Sequence, residues 1–148
     1  MSKFFVLILL FVSFPTVSVE KVSLSALLAN PNNYDGKCVQ TVGVLSVEFE
    51  GGRIFIDRTS YVARAYENAV RQPFVAAVVA MNSEDPEKAA KRISDTYEGK
   101  LVRVIGVFSA INTRTDEISS NSMFKDISFI ETLPPHNWAQ IGNRRTCL

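Results

Sequence analysis

The chain has 148 residues, enough for one compact domain and too few for two ordinary ones. Hydrophobic residues make up 47% and charged residues 21%, which excludes disordered, collagenous and coiled-coil chains. Sixteen Lys and Arg against fifteen Asp and Glu leave a formal net charge of +1, which argues against a basic nucleic-acid binder; one His and two Cys exclude His-rich or Cys-cluster metal sites.

The first element in chain order is a targeting segment. Lys3 precedes an uncharged run from Phe4 to Phe14, followed by Pro15-Thr16-Val17-Ser18. A basic start, a short apolar stretch and small residues at a cleavage point predict a secretory signal peptide over residues 1–18. The apolar run falls short of the about 20 residues a membrane span needs, and an uncleaved anchor is the alternative. Cleavage would remove Lys3 and leave a neutral chain, exported to the periplasm or outside the cell, with no long-range field towards polyanions or anionic membranes.

An internal repeat organises residues 19–133. Tyr34-Asp35-Gly36-Lys37-Cys38-Val39-Gln40-Thr41-Val42-Gly43-Val44-Leu45-Ser46 matches Tyr97-Glu98-Gly99-Lys100-Leu101-Val102-Arg103-Val104-Ile105-Gly106-Val107-Phe108-Ser109 at seven of thirteen positions, 63 residues apart. A helix precedes each copy: Ser23–Ala29, stopped by Pro31, and a second from Ser83 or Asp85 to Tyr97, with Pro86 in its first turn. In both, a Tyr-acidic-Gly-Lys turn feeds a β-branched strand. Gly43 and Gly106 fit bulges or bends that coil a sheet. Val39, Thr41 and Leu45, with Val102, Val104 and Phe108 as counterparts, are the expected core.

Between the copies, Glu50-Gly51-Gly52-Arg53 reads as a hairpin turn into a strand over Ile54–Arg58. Tyr61–Val70 has helical spacing at Val62, Ala65, Tyr66 and Ala69, so a short helix is expected there. Phe74–Ala80 reads as a buried strand. A polar loop, Asn112–Asn121, leads to a last strand over Met123–Leu133, and residues 134–148 form an irregular tail. Together these predict a mostly β fold with α: a five-stranded Greek-key barrel, β-β-β-α-β-β, behind an N-terminal helix. A swapped-hairpin barrel or an open α+β sandwich is the fallback.

The stretch Val22–Pro31, the turn Tyr34-Asp35-Gly36-Lys37, Val42-Gly43-Val44 and Phe49-Glu50-Gly51 resemble small exported bacterial proteins with an OB-like barrel and no assigned activity. Tyr97–Lys100 and Phe124–Ile127 extend the resemblance over most of residues 20–132, and it implies that part of Tyr61–Val70 leads into a strand instead of a helix. These motifs are helix stops and strand turns, so the resemblance implies a fold and transfers no catalytic residue.

Cys38 and Cys147 stand open between two readings. One is a bridge closing a loop of about 110 residues, worth up to about 4 kcal/mol in the chain-entropy model; the other is two independent thiols. Glu48, Glu50 and Asp57 sit among Arg53 and Arg58, and a charge-paired rim explains them better than a carboxylate catalyst or cation site. His136 has no local acid or nucleophile motif, and no catalytic motif, cofactor or metal is expected. The candidate binding residues are Arg53, Phe55, Asp57, Arg58, Tyr61, Arg64, Tyr66 and Arg71, because aromatics interleaved with arginines suit both protein interfaces and base or sugar stacking. The expected function is a non-catalytic module engaging a protein partner, for instance neutralising a toxin; an oligonucleotide- or saccharide-binding OB domain is the runner-up.

Overall fold

The computed structural model describes residues 18–48, 52–72, 84–110, 122–134 and Cys147. The expected signal peptide, apart from Ser18, lies outside them, as do the Glu50-Gly51 turn, the Phe74–Ala80 strand, the polar loop and His136. Of the expected tail only Pro134 and Cys147 are described.

The described chain runs β1 (Glu20–Lys21), α1 (Leu24–Ala29), a 3-10 turn (Pro31–Tyr34), β2 (Cys38–Ser46), β3 (Arg53–Phe55), α2 (Arg58–Ala63), a second 3-10 turn (Tyr66–Asn68), β4 (Ala69–Arg71), α3 (Pro86–Tyr97), β5 (Leu101–Ala110) and β6 (Ser122–Thr132). Ser23 caps α1 by accepting the Ala26 N–H at 3.2 Å, and Asp85 caps α3 by accepting that of Lys88 at 3.1 Å, with Pro86 in the first turn.

The strands β2-β3-β4-β6-β5 close on themselves through a β2–β5 pairing, giving a five-stranded barrel consistent with an OB-like fold; β1 adds in parallel to β2. All pairs in the ring are antiparallel except β4–β6. Closure removes the open edges that invite aggregation. The period of two turns Val39, Leu45, Val102, Val104, Phe108 and Phe124 into a common core with Leu24 and Leu27 of α1. Phe108 and Phe124 meet edge to face, centroids 6.1 Å apart.

The repeat has a spatial meaning. Thr41 and Val104 hold equivalent places in the two copies and are also cross-strand partners, so a pseudo-two-fold passes between β2 and β5. Each turn clamps the end of the other copy's strand. Gly36 N–H donates to Phe108 O at 2.9 Å, and Phe108 N–H donates back to Lys37 O; Gly99 N–H donates to Leu45 O at 2.8 Å, and Leu45 N–H to Lys100 O. Gly36 and Gly99 take φ of 70° and 63°, which glycine reaches without penalty. Gly106 sits where the β5–β6 register shifts, and a Cβ there would lie 2.2 Å from Asp126 O. Gly43 marks no register shift; it lets β3 approach, since a Cβ would lie 2.6 Å from Phe55 O.

Two elements differ from expectation. The strand expected over Ile54–Arg58 is Arg53–Phe55, because Asp57 caps α2 by accepting the Ser60 N–H at 2.7 Å. The helix expected over Tyr61–Val70 is α2, which stops at Ala63 because Arg64 adopts φ 54°; the chain then turns through Tyr66–Asn68 into β4. The helical spacing spanned two elements: Val62 stands exposed on α2, while Tyr66 and Ala69 pack beside Phe55 beyond the break.

Cys38 and Cys147 form a disulfide, Cα atoms 5.8 Å apart, with Ile105 buried beside them and Val19, Val107 and Phe129 packed around. No helix among the described residues is long and apolar enough to cross a membrane.

Candidate functional site

On β3, Ile54 faces the barrel core while Arg53 and Phe55 face outward. The outward face is half covered. Phe55, Val44 and Ala69 are buried beneath Tyr61 and Tyr66, with Leu101 alongside. Phe55 meets Tyr61 edge to face at 5.8 Å and Tyr66 at 6.1 Å. Fully buried, it supports this face and is withdrawn from contact with any ligand, a correction to its place among the candidate binding residues.

Tyr61 is the hub. Its hydroxyl donates to Glu98 Oε1 at 2.6 Å, and the guanidinium groups of Arg58 and Arg64 lie 5.4 and 5.5 Å from its ring centre. The other Glu98 oxygen accepts the Val47 N–H at 2.5 Å. Arg58 donates to Gly99 O at 2.5 Å. Arg64 donates to Ser46 Oγ and to Glu48 Oε1, both at 3.0 Å. The hydrogen bond to Glu98 raises the Tyr61 pKa above the ordinary tyrosine value, with burial and the Glu98 charge adding to it and Arg64 and Arg58 opposing.

A second cluster lies across the sheet. Arg53 pairs in register with Ser46 on one side and Arg71 on the other. Its guanidinium rests 4.3 Å from the Tyr66 ring centre. Arg71 is exposed. Thus Arg53, Arg58, Tyr61, Arg64, Tyr66 and Arg71 share one face of the barrel, whereas Asp57 is committed to capping α2.

The residues that sequence reasoning missed are Glu98 and Gly99, brought to Tyr61 and Arg58 across some forty positions. The repeat located that turn but carried no sign of its partner. Glu48, expected on a charge-paired rim, pairs with Arg64. No cluster of His, Cys, Asp and Glu suited to a metal ion occurs among the described residues.

The chain matches no protein-family model, and neither the curated proteins nor the solved structures include a significant match.

Proposed function

We propose that the protein is an exported binding module of the Greek-key OB type that engages a protein partner through the outer face of β3, β4 and α2. The observation that carries this reading is the company Val62 keeps. It is the large hydrophobic that stands 70% exposed among the described residues, and it projects from α2 beside the tyrosines and arginines just described. Tyr and Arg dominate the energetics of protein interfaces, and rigid aromatics flanked by arginine form their centres. The tyrosines are held by Phe55 and Glu98, so little side-chain entropy remains to be lost on docking.

The disulfide supports export, since such bonds persist in oxidising compartments. Neutralising an exported toxin is the specific version of this role, and a deletion strain that grows normally when challenged with the toxin would dismiss it.

Affinity capture from an exported fraction tests the interface. Wild-type chain should retain a partner that V62E loses, with both folding alike by circular dichroism. Equal capture by V62E overturns the reading. So does salt-sensitive binding to single-stranded oligonucleotides that is lost in R58A.

A further inference from the structure

We propose that Arg53 and Arg71 form a subsite for an acidic side chain, Asp or Glu, of a polypeptide partner. This deepens the protein-binding reading and rests on it. The two arginines stand directly opposite each other on β3 and β4, on the outward face. Like charges so placed are destabilising unless something between them is negative.

Arg53 is not fully hydrated. Its Nε and Nη1 atoms are buried and hydrogen-bond to nothing among the described residues. Donors of a charged group left unmade in this way are costly. The Tyr66 ring beneath the guanidinium supplies a partial negative face without accepting those donors.

Three described carboxylates of this region are engaged elsewhere. Glu48 binds Arg64, Glu98 binds Tyr61 and the Val47 N–H, and Asp57 binds the Ser60 N–H. Glu67 lies exposed on the 3-10 turn and makes no ion pair with Arg53. None of the described carboxylates answers these donors, and a carboxylate of another molecule fits the planar fork of a guanidinium with two parallel hydrogen bonds.

A nucleic-acid backbone fits this surface less well than one acidic group does. Tracking phosphates calls for an unbroken run of cations. Here Glu48, Asp57 and Glu67 interrupt the arginines, and the whole sequence is near neutrality. The geometry offers one anion a pair of arginines rather than a chain of anions a track.

The test is calorimetric titration of the purified chain with a hexaglutamate peptide, with hexaglutamine as the neutral control and oligothymidylate as the polyanion arm. Hexaglutamate alone should bind. R53Q and R71Q should each weaken binding tenfold or more, and K37Q, on the opposite part of the barrel, should leave it unchanged. Arg71 is exposed, so its variants report binding without a folding defect. R71E supplies the missing carboxylate within the chain. It should abolish peptide binding and raise Tm by about 2 °C or more.

Absence of hexaglutamate binding, binding indifferent to R53Q and R71Q, tighter binding of oligothymidylate, or a lower Tm in R71E would each overturn the subsite. A partner captured through Val62 but held equally by R71E removes the subsite and leaves the protein-binding reading intact. Hexaglutamate binding that depends on both arginines, with no partner lost in V62E, does the reverse.

Discussion

At one end of the β2–β5 pair the turn Tyr34-Asp35-Gly36-Lys37 clamps Phe108; at the other, Tyr97-Glu98-Gly99-Lys100 clamps Leu45. In both, the acidic residue accepts the backbone N–H two positions beyond the clamped residue: Asp35 that of Ala110 at 2.9 Å, Glu98 that of Val47. The difference is one methylene. Asp35 has a single such hydrogen bond, whereas Glu98 reaches far enough to cap with one oxygen and hold Tyr61 with the other. The next position diverges as well. Cys38 ties the first turn to the tail, and its equivalent, Leu101, packs beside Tyr61 and Tyr66. The shared atoms serve the barrel, and the unshared ones build a covalent latch at one end and a binding face at the other.

Breaking the latch should give the largest effect. C38S releases a bond spanning 109 residues and should lower unfolding free energy by about 4 kcal/mol, read by denaturant unfolding, with m rising because the unfolded chain is no longer closed into a loop. A smaller loss would mean that the packing of Val19, Ile105 and Phe129 holds that end unaided.

The glycines sharpen the comparison. Both G36A and G99A force a side chain into left-handed backbone, at about 1–2 kcal/mol each. A Cβ at Gly36 meets open space, whereas one at Gly99 lies 3.2 Å from the Tyr61 hydroxyl and 3.3 Å from Arg58. G99A should therefore cost more by thermal or chemical denaturation, and equality would show that Tyr61 and Arg58 yield freely.

E98D converts the second turn into the chemistry of the first. It should keep the Val47 cap, release the Tyr61 hydroxyl and cost about 1 kcal/mol, and a double-mutant cycle with Y61F should show coupling between the two residues. D35E should change stability less, since no tyrosine hydroxyl is hydrogen-bonded to Asp35.

The smallest effect is in pH. Tyr61 titrates above its unfolded value chiefly because neutral tyrosine donates to Glu98. The folded state then holds a proton that the unfolded state releases above about pH 10. The resulting stability is complete below the unfolded pKa and is lost as pH rises through the folded one. Ultraviolet titration should show one tyrosine ionising late, and Y61F should remove that component.

The barrel's skeleton was legible because the repeat put glycine, turn and β-branched residues in the same order twice, and local chemistry decides such features. The core at Val39, Leu45, Val102, Val104 and Phe108 followed from a period of two. The face was legible only as a set of arginines and tyrosines. Which would face outward depended on where α2 stopped, and that was set by Arg64 in a left-handed conformation that arginine rarely takes. The Glu98–Tyr61 bond joins residues far apart in the chain, and no local pattern announces such a pairing. The donors of Arg53 that no described residue answers follow from cross-strand register, which no run of three residues as short as β3 specifies.

The clasp between β2 and Cys147 also orders events during biosynthesis. Cys38 leaves the ribosome early, and its thiol waits while 109 further positions are made. A product halted before Cys147 would hold the paired strands of the barrel but carry a bare thiol beside Ile105 and Phe129, open to wrong partners. The bond thus acts as a seal set last, marking chains whose synthesis has reached Cys147.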